Sequence, residues 1–306
     1  MHYIIIGDIH GHYNALEKLL LETGCTRDGL GFKPPGHTAI RFVGDLVDRG
    51  PQVRRTLECV VDMVEKGYAR TIIGNHELNL LSYCHSGTDG QPLRPHTPKN
   101  QNQVSATLHD FEGDKESLED YLQWIQQQPI VIEEAGFRMA HACWYPPDVE
   151  FLMQNFPENR LSDRVLFEYA DLTSETHQRL GRIVSGPEIS IPEEFAYLDN
   201  DGNKRHDLRI AWWNPLQGKT LKQMATHDQG LPEQPIPDEM LPPRMDYDDH
   251  EPPLFLGHYC LHGPVALRSS NVACTDFCVI KQKRLAAYHF DGEQPLHENH
   301  WHVVYT

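Results

Sequence analysis

The chain has 306 residues, 44 of them acidic and 27 basic, for a formal net charge of −17 at neutral pH. Such a balance repels polyanions at long range, which argues against a nucleic-acid polymer as partner. No apolar run approaches the length of a membrane span, and the few residues before the first motif are too short for a secretory leader. The cysteines are seven in number and contain no C-x-x-C pair. They therefore read as reduced, buried thiols of a cytoplasmic protein.

In chain order, His2 to Ile6 is an apolar run ending in Gly7-Asp8, a buried strand by pattern. From His12 to Glu22, Leu16, Leu19 and Leu20 fall at helical spacing, and Gly24 ends the helix. Asp28 to His37 is a loop. Thr38 to Val43 predicts a second strand, Pro51 a helix first turn, and Val53 to Glu65 the helix itself. Ala69 to Ile73 predicts the third strand. Strand, helix, strand, helix, strand argues for an α/β fold around a mostly parallel sheet.

Tyr83 to Lys115 turns polar and predicts a surface excursion, with the character of a lid. Leu118 to Gln127 has a helical pattern. Ile130 to Glu134 and Phe137 to Ala140 predict a hairpin around Glu134-Ala135-Gly136, ending at His141. Asp148 to Arg182 is mainly helical by pattern. Phe195 to Leu198 and His206 to Trp213 flank Asn200-Asp201-Gly202, a hairpin turn. Asn214 to Pro253 is Pro-rich and acidic, a second excursion expected to lie over the site. Leu254 to Leu256 predicts a short strand before His258. Val272 to Ile280, Leu285 to Phe290 and Trp301 to Tyr305 predict closing antiparallel strands. Nothing reads as an interdomain linker, so a single domain is expected over residues 1–306, with insertions near 84–128, 145–205 and 214–253.

Five segments share one form, an apolar run and then a polar loop: Gly7-Asp8-Ile9-His10-Gly11, Gly44-Asp45-Leu46-Val47-Asp48-Arg49-Gly50, Gly74-Asn75-His76-Glu77, His141 and His258. Asp8, His10, Asp45, Asn75, His141 and His258 offer hard oxygen and borderline nitrogen donors, a set suited to Mn, Fe or Zn. Six side chains serve two metal ions if one carboxylate is shared, and Asp45 lies centrally among them. The expected sets are Asp8, His10 and Asp45 for one ion, and Asp45, Asn75, His141 and His258 for the other. Two divalent ions, two aspartates and a bridging hydroxide leave a charge of about +1, to which Arg49 adds, so a phosphate is attracted in spite of the acidic chain. In-line attack by that hydroxide on phosphorus then needs a proton for the leaving oxygen. His76 is the candidate acid, Asp48 its orienting partner, and Arg49 a clamp on two phosphate oxygens. Taken singly, each residue has a structural reading, Asn75 as a helix cap and Glu77 as a structural acid. The metal reading explains all five segments together.

These blocks resemble the calcineurin-like metallophosphoesterases, within them the phosphoprotein-phosphatase-like branch. Asp8 to Gly11, Gly44 to Gly50 and Gly74 to Glu77 match three signature blocks closely, with His141 and Gly257-His258 matching two more. The resemblance implies a four-layer α/β/β/α sandwich with mixed sheets, a dinuclear metal centre at strand ends, and the roles given above for Asp48, Arg49 and His76. It also implies a second phosphate-binding arginine, for which Arg209 and Arg244 are the candidates. The chain departs from the pattern at His141-Ala142-Cys143-Trp144, where many relatives carry His-Gly-Gly. Cys260 stands where nuclease-type relatives carry a second histidine, and Asn214 replaces Asp in a W-x-D-P segment.

The expected activity is hydrolysis of phosphomonoesters, with a phosphorylated small molecule, a nucleotide or a phosphoprotein as substrate. The alternative is hydrolysis of diadenosine tetraphosphate or another nucleoside polyphosphate, with Trp144, Tyr145, Trp212 and Trp213 as candidate base platforms. A metal-binding scaffold without activity is a third reading, and it predicts a lost His76, Asp48 or ligand. All are present.

Overall fold

Strand β1 (His2–Ile6) buries both faces. Ile4 and Ile6 join one core cluster, and Ile5 joins a second. Such a strand needs apolar cover on two sides. A computed structural model supplies it; residues 1–306 are described apart from 135, 199–203, 227–230 and 232.

After β1 come helix α1 (Tyr13–Glu22), a small hairpin of β2 (Thr26–Asp28) and β3 (Gly31–Lys33), and β4 (Thr38–Phe42). Helix α2 (Val53–Glu65) and β5 (Ala69–Thr71) follow. β1 pairs in parallel with β4, and β4 with β5, as the crossover pattern requires. Helix α1 buries Leu16, Leu19 and Leu20 and gives way at Thr23 to Gly24, whose φ of +85° favours glycine. Helix α2 is capped by Gln52, so Pro51 precedes the helix and does not form its first turn.

Helices α3 (Asn75–Cys84), α4 (Pro98–Asp110) and α5 (Lys115–Gln126) come next. The stretch expected to be a lid is thus about half helical, chiefly through α4. Thr97 caps α4 by accepting from Asn100 N, and Pro98 opens it. Strands β6 (Ile132–Glu134) and β7 (Phe137–Met139) pair antiparallel, and Ala135 of their turn lies outside the described residues. Helices α6 (Pro146–Asn155), α7 (Asp163–Ala170) and α8 (Glu175–Ser185) fill the region read as helical.

Two small ladders follow. β8 (Glu188–Ser190) pairs with β11 (Asp207–Arg209), and β9 (Tyr197–Leu198) with β10 (Lys204–Arg205). Asn200-Asp201-Gly202, read as the turn, lies outside the described residues. The expected strand to Trp213 stops at Arg209, because Trp212 and Trp213 turn into the core. A short helix α9 (Leu221–Met224) leads to β12 (Leu254–Leu256), β13 (Val272–Cys274), β14 (Arg284–Phe290) and β15 (Trp301–Tyr305). β13 ends earlier than expected and pairs in parallel with β12, so it is not a closing antiparallel strand. β14 and β15 do close their sheet antiparallel.

Two sheets result, in the orders β15-β14-β1-β4-β5 and β13-β12-β7-β6. Ile5, Val43, Ile72, Tyr288 and Phe290 from the first pack with Ile132, Phe137, Met139 and Phe255 from the second. Alternate residues face outward. Leu254, Leu256, Val272 and Cys274 join the cluster that holds Leu152, Leu166, Leu180 and Ile183 of the later helices, while α1 contacts β14 and β15 and α2 contacts β5. Helix, sheet, sheet, helix is the four-layer α/β/β/α sandwich. At one margin Arg41 of β4 reaches Glu134 of β6 with two hydrogen bonds of 2.9 Å, tying the sheets together. Among the described residues no helix is long and apolar enough to cross a membrane.

Candidate metal centre and active site

The C-terminal ends of β1, β4, β7 and β12, with the loop before α3, converge on one point. Asp8, His10, Asp45, His141 and His258 are buried there. Their loops are held in unusual conformations. His10, Asp45, Asp48, Arg49 and His258 have φ between +45° and +71°, and so do Cys260 and Cys278 beside them at +47° and +62°. Non-glycine residues adopt this region only when surrounding structure enforces it, and they concentrate at functional sites. Close approach does the same to two glycines. A Cβ on Gly257 would collide with Asp8 Oδ1, and one on Gly74 with Asp45 Oδ1.

Second contacts orient the donors. His10 Nδ1 is 3.0 Å from Val47 O and His141 Nδ1 is 2.6 Å from Val43 O, which assigns the proton to Nδ1 and a lone pair to Nε2 in each ring. His141 Nε2 then faces Asn75 Oδ1 at 3.2 Å and Asp45 Oδ2 at 3.4 Å. His10 Nε2 lies 3.5 Å from the same Asp45 oxygen. Asn75 Oδ1 is also 2.9 Å from His258 Nδ1, while His258 Nε2 and Asp8 Oδ1 are buried without a hydrogen-bond partner. Acceptors gather here with too few protons to share. Divalent cations fit this donor set, since each lone pair gains a partner. One oxygen or nitrogen each from Asp8, Asp45 and His141 lie within 4.8 Å of one another.

The protonation balance carries the same sense. Burial, then the Asp276 and Asp45 carboxylates, push Asp8 well above the usual carboxylate range. Burial and the neighbouring His76 push His10 down to about 3. Burial, then Arg209 and His141, hold His258 well below its ordinary value. Asp45 is the exception. Burial opposes its ionisation, but His141, His76 and His10 overcome this and hold it well below the usual range. His141 moves the other way, raised against its burial by the Asp45 carboxylate; an ionised Asp45 beside neutral His10 and His258 is the part of this balance that suits a metal ion.

His76 is buried beside this cluster. Its N–H donates to Asp45 Oδ1 at 2.9 Å, and its Nδ1 lies 2.8 Å from Asp48 Oδ2. Arg49 Nε donates to His76 Nε2 at 3.3 Å. Glu77 stays structural. Its carboxylate accepts from Asp45 N, Leu46 N and Gly74 N and fastens the second motif to the start of α3.

A cavity of about 260 Å³ opens over these groups, with His10, Asp45, Arg49, Asn75, His76 and His258 in its lining. Arg209 also lines it, paired with Glu188 at 3.2 Å. Arg244 does not; it is exposed and bound to Asp246 at 2.7 Å. The second arginine candidate is therefore not brought to the site. Neither excursion shapes the cavity as expected. No residue of 84–128 lines it, and among the described residues of 214–253 only Thr226 does. The walls come instead from 188–209 and 276–281, through Tyr197, Arg205, Arg209 and Lys281. None of Trp144, Tyr145, Trp212 and Trp213 faces it. Trp212 is buried, donating from Nε1 to Ala142 O at 3.0 Å.

Three features lie beyond the sequence reading. Thr107 of α4 accepts from Asp48 N at 3.0 Å and donates to Asp48 Oδ1 at 2.5 Å, so the polar excursion buttresses the catalytic loop from beneath. Asp276 accepts from Cys260 N at 2.5 Å and Cys278 N at 2.8 Å and sits near Asp8. Its signal was present, a carboxylate after the apolar run Val272–Cys274, but the expected longer strand hid it. Cys260 and Cys278 form a disulfide, so these two are not the reduced thiols expected. Cys143 and Cys274 are free and buried.

The sandwich and its strand-end donors define the class, an α/β/β/α fold with a candidate dinuclear centre. The chain belongs to the calcineurin-like phosphoesterase family, whose model matches residues 1–279. It is 34% identical over 141 residues to the symmetrical bis(5'-nucleosyl)-tetraphosphatase of Ralstonia nicotianae, a match covering 46% of this chain and 41% of that enzyme. It is 29% identical over 182 residues to the asymmetrical bis(5'-nucleosyl)-tetraphosphatase PrpE of Bacillus subtilis, covering 58% of this chain and 69% of that one. The chain thus spans less than half the length of the first of these relatives. Among solved structures, a protein serine/threonine phosphatase from Saccharomyces cerevisiae aligns with a TM-score of 0.48 at 12% identity, over 99% of this chain and 79% of that one.

Proposed function

We propose that this chain is a metal-dependent phosphohydrolase and that its substrate is a dinucleoside polyphosphate. The observation that carries the reaction class is the place of Asp45, whose Oδ2 is approached by His10 Nε2 at 3.5 Å and by His141 Nε2 at 3.4 Å. Such a carboxylate would suit sharing between two ions. Asp8, His10 and Asp45 would hold one, and Asp45, Asn75, His141 and His258 the other, with Mn, Fe or Zn meeting the donor chemistry. When bound, the ions supply positive charge at the phosphoryl oxygens and readily ionised water.

The remaining steps belong to side chains. Arg49 binds phosphate oxygens with its planar fork. It has first to leave His76 Nε2, and an arriving phosphate draws it away. Asp48 holds the Nδ1 proton of His76 and fixes the ring. His76 then delivers a proton from Nε2 to the leaving oxygen as the P–O bond breaks and water oxygen joins phosphorus.

Two observations support the substrate class. The relatives named above are both bis(5'-nucleosyl)-tetraphosphatases. Arg49, Arg205, Arg209 and Lys281 line one cavity of a strongly acidic chain, with Tyr197 beside them. Several cationic groups in one cavity suit a chain of phosphates better than a single one, and a phenol ring suits a base.

The test is a panel of diadenosine tetraphosphate, a phosphopeptide and an aryl phosphate, run on wild type and His76→Gln. The proposal expects kcat/KM to favour the dinucleotide by orders of magnitude. It also expects His76→Gln to lose about 10²–10³ in kcat with metal content unchanged. Equal rates on the three substrates overturn the substrate class. An unchanged rate in the variant overturns the proton-donor assignment.

A further inference from the structure

We infer that the chain carries a third metal site, outside the catalytic centre, in which His2, His289 and Asp291 bind a borderline divalent ion of the Zn²⁺ type. Sheet register brings the three together. β1 and β14 pair antiparallel with Ile4 opposite His289 and Tyr3 opposite Phe290. Side chains two apart share a face. His2 therefore projects beside His289 and Asp291, on the face that Ile4 presents.

One donor atom from each side chain lies within 4.8 Å of the others. His2 Nδ1 is 2.5 Å from Asp291 Oδ1. His289 Nε2 is 3.2 Å from the same oxygen, but the alignment is not that of a hydrogen bond, and this nitrogen is buried without a hydrogen-bond partner. With its proton on Nδ1, His289 would aim the Nε2 lone pair into this carboxylate-imidazole corner, where a cation would satisfy it. Two imidazoles and one carboxylate are a common zinc donor set, with a fourth position left for water or another side chain. The neighbouring strand offers that side chain. Ala287 pairs with His302, and the His302 ring centroid is 6.2 Å from that of His289.

The site is separate from the proposed catalytic ions. His2 begins β1, and Asp8 and His10 follow its other end. Five residues at about 3.3 Å each put on the order of 16 Å between them. Its consequence is structural. An ion held by β1 and by the end of β14 joins strands from opposite ends of the chain, and binding only the folded state raises stability by linkage.

The experiment strips the full-length protein with chelator, equilibrates it with Zn²⁺ at neutral pH, and measures bound zinc per chain and the zinc-induced rise in Tm. Wild type is compared with His2→Gln, His289→Gln and Asp291→Asn. Each variant should hold one ion fewer per chain and lose part of the Tm rise, with Mn²⁺-supported phosphohydrolase activity unchanged. Asp45→Asn serves as the separate control, because it removes catalytic-centre metal while keeping the ion at His289. Zinc content and Tm rise equal to wild type in all three variants overturn the proposal. His2 is exposed, so His2→Gln decides the matter even if His289→Gln folds poorly.

Discussion

Asp45 receives the N–H of His76, sits at φ +52°, and lies within 3.5 Å of imidazole nitrogens from two other strand ends. No side chain tolerates that position for its own conformational comfort; Glu77, by accepting from Asp45 N, keeps it there. The same logic reaches Asp48 through Thr107. We predict that Thr107→Val lowers kcat about tenfold, the value of one hydrogen bond to a charged group. KM should stay near wild type, the alkaline limb of the kcat–pH profile should move, and Thr107→Ser should restore both kcat and the profile. A stability loss with an unmoved profile would assign Thr107 to packing alone. At this scale much was readable in the chain, since Asp8, His10, Asp45, Asn75 and His76 lie in short motifs directly after apolar runs. Thr107 was not readable. It stands 59 residues beyond Asp48 in a polar stretch, and only the packing of α4 beside α2 and α3 brings it there.

Among the elements, the central parallel strands and their two crossover helices were legible, because β1 ends in a buried apolar run and the apolar residues of α1 and α2 recur at helical spacing, although β4 and β5 carry Arg41 and Arg70. β13 was not. The strand was expected to continue to Ile280, but after Cys274 the chain leaves the ladder to place Asp276 and Cys278 against the loop carrying His258 and Cys260. Pairing of cysteines 18 residues apart is a tertiary fact that spacing alone does not encode. The contact between sheets has its own test. Glu134 accepts from Arg41 twice and from Arg70 at 3.0 Å. Burial would raise its pKa, but the Arg41 hydrogen bonds and charge outweigh burial and lower it. A lowered folded pKa means stability that is present above the ordinary glutamate value and lost as pH falls through the folded one. Arg41→Ala should cost about 2 kcal/mol at pH 7, read from urea midpoints, because it removes two hydrogen bonds to a charged carboxylate and leaves it with Arg70. That cost should shrink as pH falls below the ordinary glutamate value and through the folded one. A cost independent of pH would contradict the charge-based account.

Over the whole molecule, an acidic chain brings four cationic groups from separate segments to one cavity. Arg49 comes from the second motif, Arg205 and Arg209 from the small ladders, and Lys281 from the loop before β14. The motif residues of this cavity could be read from sequence, but its walls could not, because 188–209 and 276–281 carry no motif and are placed only by the folding of the sandwich. The polar and Pro-rich excursions drew attention by composition and turned out to buttress or lie beside the site. The central claim is that the strand-end donors hold metal and that hydrolysis depends on it. The most direct measurement is hydrolysis of diadenosine tetraphosphate by chelator-stripped protein, with and without added Mn²⁺, in wild type and Asp45→Asn. The account predicts background activity after stripping, recovery with Mn²⁺ in wild type, and none in the variant. Full activity in the stripped protein, or equal recovery in Asp45→Asn, would contradict it.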